Sequence, residues 1–130
     1  MRVFFALQIS QPMRLAIDNY VSCLKRRLSY NVGWIFRDNY HVTLRFVGEV
    51  DKTAVSKLAE STEDVLDGCA SFSLNTAGSE LFSARRRSQV FVLKIGPENY
   101  LSALARLIDT AVTTIDLLPD THPFRPHLTL

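Results

Sequence analysis

Hydrophobic and polar positions alternate along residues 2–9, and the β-rich composition of Val3, Phe4, Phe5 and Leu7 predicts a strand there. From Pro12 to Leu28 the period changes to threes and fours. Ile17, Val21, Leu24 and Leu28 fall on one side, with Arg14, Asp18, Lys25 and Arg26 on the other. That spacing predicts an amphipathic helix, with Pro12 suited to its first turn and Ser10 placed to cap it. A short strand is expected over residues 33–37 (Gly33 to Arg37), then a turn at Asp38-Asn39. The segment from His41 to Val47 alternates again. It predicts a strand with His41, Thr43, Arg45 and Val47 on a polar face and Val42, Leu44 and Phe46 on an apolar face that packs inward.

Gly48 ends this strand, and Asp51 is placed to cap a second helix over 52–67, with Val55, Leu58, Ala59, Val65 and Leu66 as its apolar positions and Gly68 closing it. Residues 70–77 and 88–95 read as strands. In the second, Phe91, Leu93 and Ile95 alternate against Val90, Val92 and Lys94. A polar connection between them holds Ser83 and Arg85-Arg86-Arg87. A third helix over 98–116 has the cleanest stripe: Leu101, Leu104, Ala105, Ile108, Ala111, Val112 and Ile115. The proline-bounded stretch Pro119 to Pro126 then makes a rigid extended approach to His127-Leu128-Thr129-Leu130, a strand by composition. Paired strands separated by helices predict an α+β fold with mostly antiparallel sheets. Each half ends in a strand carrying the same tetrapeptide, which points to two similar lobes related by a pseudo-two-fold.

The length of 130 residues suits one domain, and an apolar share of 47% provides enough material for a core. A net charge of +2 does not amount to a basic surface for long duplexes, yet it tolerates a small substrate with one or two phosphates. No apolar run approaches the roughly 20 residues of a membrane span. The apolar start is broken early by Gln8, Ser10, Gln11 and Pro12, with no small-residue cleavage site after it, so it reads as a strand and the expected location is the cytoplasm. Cys23 and Cys69 belong to no metal or redox spacing and are expected to be reduced, part-buried thiols.

The informative feature is the repeat of His-x-Thr-Leu at 41–44 and 127–130. On a strand, positions two apart point the same way, so each motif offers an imidazole and a hydroxyl to a common point. Two such strands facing each other would surround one anion-sized space with His41, Thr43, His127 and Thr129. Phosphodiester hydrolysis needs a base for water, an acid for the leaving oxygen, and donors for the non-bridging oxygens. Histidines, whose ordinary titration lies near neutral pH, supply the first two, and threonines supply the donors. Two histidines are too few for a metal site, and no Asp, Glu or Cys lies within either motif, so neither metal nor cofactor is expected. A Ser-His-Asp mechanism lacks its nucleophile-elbow glycines.

The segment Asn39-Tyr40-His41-Val42-Thr43-Leu44-Arg45-Phe46-Val47-Gly48-Glu49-Val50 resembles the first signature (HxTx) of the two-histidine phosphoesterase superfamily, and Pro123-Phe124-Arg125-Pro126-His127-Leu128-Thr129-Leu130 resembles its second. The opening Arg2-Val3-Phe4-Phe5-Ala6-Leu7 is similar to the first strand of the bacterial branch, the RNA 2′,3′-cyclic phosphodiesterases, also called 2′-5′ RNA ligases. The resemblance implies a bilobal α+β fold, two antiparallel sheets flanking a central cleft with helices outside. It implies metal-independent opening of a 2′,3′-cyclic phosphate to a 2′-phosphomonoester, with reversible 2′-5′ joining as a side activity. The partners it implies are RNA ends or nucleotides carrying the cyclic phosphate, met by a monomer. By motif, His41 and His127 are the catalytic pair and Thr43 and Thr129 hold the phosphate. The adopted split has His41 as acid for the leaving 3′ oxygen and His127 as base for water, although the sequence does not fix it. Family members usually continue past the second motif, so residues 1–130 are expected to be one such domain that lacks its C-terminal part.

Weaker candidates surround the motifs. Arg125, two residues before His127, could bind phosphate or pair with a carboxylate, and Arg45, on the His41 face, could bind substrate, with a solvated or salt-bridged strand residue as the preferred reading. Arg85-Arg86-Arg87 could hold an RNA backbone, although a solvated loop is the preferred reading. Trp34 and Phe46 could stack on a base, with core packing preferred, and His122 is expected to be exposed and inert. The competing functional class is a non-catalytic nucleotide- or RNA-binding module that retains the cleft.

Overall fold

The computed structural model describes residues 1–28, 32–83 and 89–130. Five strands and three helices alternate in it: β1 Arg2–Gln8, α1 Gln11–Arg27, β2 His41–Glu49, α2 Lys52–Leu66, β3 Asn75–Ser83, β4 Gln89–Gly96, α3 Glu98–Thr114 and β5 His127–Thr129. The class is α+β, and every strand pairing is antiparallel. The expected pair of sheets is instead one, in the order β1-β2-β5-β4-β3. The cause is β5, which uses both of its edges. Val42↔Leu128 joins it to β2, and Lys94↔His127 and Val92↔Thr129 join it to β4.

One face of this sheet is covered. Ile17 and Val21 of α1 and Leu101 of α3 pack with Val42, Leu93, Ile95 and Leu128 in a single buried cluster. The α3 stripe runs through Leu101, Ala105, Ile108, Ala111 and Val112, and α2 lies against it through Leu58 and a Ser61 hydroxyl that donates to the Ala111 carbonyl at 2.8 Å. Caps fall where the sequence placed them: Ser10 accepts from the Met13 amide at 3.4 Å, and Asp51 accepts from the Ala54 amide at 2.8 Å. Among the described residues, no helix is long and apolar enough to cross a membrane.

Three local expectations change. Residues 33–36 form no strand, because their link to the sheet is a single bond from the Ile35 amide to the Leu130 carbonyl, and Arg37–Asn39 close as a 3-10 turn. The strand expected at 70–77 lies instead at Asn75–Ser83, where its residues pair with β4 around an irregularity at Gly78 (φ 88°). Both cysteines are exposed rather than part-buried. The run Arg85-Arg86-Arg87 lies outside the described residues.

Candidate active site

β2 and β5 meet at Val42 and Leu128, both 0% exposed on the covered face. Antiparallel register then sets His41 across from Thr129, and Thr43 across from His127, on the opposite face. The two imidazoles occupy one diagonal of this four-residue patch and the two hydroxyls the other. Diagonal neighbours on adjacent strands lie roughly 7–8 Å apart, a spacing that lets two side chains converge on one tetrahedral anion. All four residues are half-buried and line one pocket of about 500 Å³.

Both rings are held alike. His41 Nδ1 lies 2.7 Å from the carbonyl oxygen of Asn39, and His127 Nδ1 lies 2.6 Å from that of Arg125, in each case two residues back along the chain. A carbonyl only accepts, so each Nδ1 carries the hydrogen and donates it. In the neutral ring this leaves Nε2 as the nitrogen free to take up or deliver a proton. A phenylalanine braces each ring, one from the adjacent strand β1 and one from β3, two strands away from β5. Phe4 of β1 sits 5.4 Å from His41, and Phe82 of β3 sits 5.4 Å from His127, centroid to centroid. Neither the anchoring carbonyls nor these phenylalanines were identified from sequence. The signal available for the former was the equal spacing of Asn39 and Arg125 from their histidines.

Arg45 needs correcting as a substrate residue. Register with β1 runs Ala6↔Thr43, then Phe5↔Arg45, so Leu44 is an extra residue that bulges out of the ladder. Past a bulge the side chains exchange faces. Arg45 therefore turns to the covered side and is only 7% exposed. Its Nε donates to Asp109 Oδ1 at 2.8 Å, and its remaining nitrogens donate to the Phe46 and Leu118 carbonyls. It latches β2 to α3 and to the chain leading toward β5. Phe46, expected in the core, is carried out to the open face, where it is 67% exposed and lies 5.7 Å from Phe4.

The remaining candidates divide. Arg125 is exposed beside the site: its guanidinium lies 4.3 Å over the Phe82 ring and 3.8 Å from Glu80. Trp34 is half-buried, stacked on Phe91 at 5.6 Å and packed on the core, and it lines the pocket of the four motif residues together with exposed Phe36 and Phe46. His122 is exposed, within 3.2 Å of Asp120, whose carboxyl sits below the usual aspartate range because the His122 amide donates to it. A larger depression of about 720 Å³ runs along β2 beside residues 117–125 and opens onto Thr43, Phe46 and His127.

The profile of the family described as LigT like phosphoesterase matches residues 7–92. The chain belongs to the LigT-like phosphoesterase family. Among curated relatives, an RNA 2′,3′-cyclic phosphodiesterase of Geobacillus stearothermophilus is 28% identical over 98% of the chain, and one of Thermotoga maritima is 31% identical over 76%. The matches span 40% and 51% of those relatives' own lengths, so this chain spans about half of them or less. Solved structures share the fold. TT0787 of Thermus thermophilus superposes with a TM-score of 0.80 at 21% identity, covering 100% of this chain and 73% of that one. Escherichia coli LigT complexed with 3′-AMP gives 0.72 at 22%, covering 99% and 71%.

Proposed function

We propose that this LigT-like chain opens RNA or nucleoside 2′,3′-cyclic phosphates to 2′-phosphomonoesters by metal-independent two-histidine catalysis. The observation that carries the reading is the matched anchoring of His41 and His127, each ring fixed through Nδ1 and free at Nε2, across the Val42–Leu128 pair. One Nε2 takes a proton from water as its oxygen attacks phosphorus. The other, protonated, delivers a proton to the 3′ oxygen as the P–O3′ bond breaks. Thr43 and Thr129 hydroxyls donate to the non-bridging oxygens, where charge builds up. The same ring opening with a 5′ hydroxyl in place of water gives a 2′-5′ linkage, and its reversal, attack of the 3′ hydroxyl on phosphorus with the 5′ hydroxyl leaving, restores the cyclic phosphate. Arg125 adds a positive charge on the His127 side, and Phe36 and Phe46 offer exposed ring faces to a base. The names of the curated relatives support the substrate class, and the 3′-AMP complex of Escherichia coli LigT supports nucleotide affinity.

The test incubates the protein with a 2′,3′-cyclic nucleotide in EDTA and identifies the product. A 2′-phosphate whose formation falls by about 10²–10⁴-fold in His41→Ala and in His127→Ala is the expected result. Loss of activity in EDTA, or turnover indifferent to both substitutions, overturns the mechanism. Nucleotide binding without turnover would make the chain a binding module instead.

A further inference from the structure

The two halves of the site differ in what stands beside each histidine. Across from His41, β1 presents Gln8, which is neutral. Across from His127, β4 presents Lys94, and directly opposed residues of an antiparallel pair share a face. Lys94 therefore stands on the catalytic face, one strand spacing (about 4.8 Å) beyond His127. Arg125 reaches the same place from the other direction, its guanidinium lying over Phe82, which itself packs on His127. Glu80 of β3 sits between the two cations, 3.5 Å from Lys94 Nζ and 3.8 Å from Arg125. Lys94, Glu80, Phe82, Arg125 and His127 line one pocket of about 510 Å³.

We propose that Lys94 and Arg125 form a second phosphate subsite, filled by the phosphate on the 5′ side of the nucleotide whose cyclic phosphate lies between the histidines. The inference rests on the proposed function and specifies its substrate, an RNA end or a 5′-phosphorylated nucleotide in preference to a bare nucleoside cyclic phosphate. Three observations support it. Both ion pairs are long and largely exposed, so they hold their partners weakly and a phosphate can replace Glu80. A guanidinium and an ammonium together suit a phosphate better than one carboxylate shared between them. The subsite adjoins the first at one strand spacing, and the lysine tether extends that reach across the ribose separating neighbouring phosphates. Glu80 acts as a placeholder that keeps the two cations together and competes with the incoming anion.

The experiment measures, by calorimetry, the affinities of adenosine 2′-monophosphate and adenosine 2′,5′-bisphosphate for the wild type, Lys94→Gln and Glu80→Gln. The wild type should bind the bisphosphate about tenfold more tightly. Lys94→Gln should collapse that ratio toward one, and Glu80→Gln should widen it. The kcat/KM ratio for 5′-phosphorylated against unphosphorylated adenosine 2′,3′-cyclic phosphate should move in the same directions. Equal wild-type affinities, or the same direction of change in both variants, overturn the subsite. Because the affinity ratio needs no turnover, a protein with the ratio intact and no hydrolysis contradicts the proposed reaction and keeps the subsite. Hydrolysis with equal affinities does the reverse.

Discussion

The unit β1-α1-β2 and the unit β4-α3-β5 are two versions of one arrangement. In each, a strand is followed by a helix on the covered face and by a second strand, antiparallel to the first, that carries the histidine. In each, the ring is fixed by a carbonyl two residues back; a phenylalanine braces it, Phe4 from within the first unit and Phe82 from β3, outside the second. They differ in how the strand is supported. Both strands are paired along both edges, but β2 spans nine residues, is bulged and is tied down by buried Arg45, whereas β5 has three residues and, among the described residues, no such latch. They differ as well in charge, Gln8 against Lys94. On the proposed function, the parts that move protons are matched, while the parts that hold strands and read the substrate are not. Chemistry that exchanges acid and base roles between directions calls for the first. Recognition of an asymmetric substrate calls for the second.

The largest effect should come from removing the support found only in the first unit. Arg45→Ala leaves Asp109 without its partner and two carbonyls without a donor. It should lower the free energy of unfolding by about 2–3 kcal/mol, below the range for a fully buried pair because Asp109 remains a third exposed. Urea denaturation measures this, and a change under 0.5 kcal/mol would show that β2 does not depend on the latch. A smaller effect compares the matched parts. Thr43→Val and Thr129→Val should each cost about tenfold in kcat/KM for a cyclic phosphate, each losing one hydroxyl donor. A loss confined to one variant breaks the equivalence of the two units.

The smallest effects concern the helix caps. α1 has the Ser10 cap and α3 has no side-chain cap, so Ser10→Ala should cost only about 0.5 kcal/mol, the low end for a cap whose bond is long. Asp51, on the α2 that links the units, adds a pH signature. Hydrogen bonds from the Thr53 hydroxyl and the Ala54 amide hold its carboxyl below the ordinary aspartate range. A lowered folded-state value means the stabilisation is complete at neutral pH and is lost as pH falls through that value. Thermal melts of wild type and Asp51→Ala should therefore converge in acid. A constant gap down to pH 2 would remove the charge from the explanation.

The helices and the side-chain faces of both motifs were legible in the sequence, because period and alternation act within one element. The bulge was not. His-Val-Thr-Leu-Arg-Phe alternates without a break, and nothing in that string says that β1 will step once where β2 steps twice. Arg45 and Phe46 were therefore assigned to each other's faces. The single sheet was equally hidden, since composition marks β5 as a strand but does not say how many neighbours it takes. Lys94 was visible as the charged residue among Val90, Val92, Leu93 and Ile95, yet its interest depends on standing opposite His127, a fact of register.

That register has a further consequence. Val42 and Leu128 lie directly beneath the four polar groups, so one backbone pairing both closes the core and aligns the side chains of the candidate site. A slip of β5 by one position would turn both of its site residues into the core at once and expose Leu128. Selection for a sealed interior and selection for a working site thus act on the same two residues. A mutational scan should find them as intolerant as the histidines, although neither can touch a substrate.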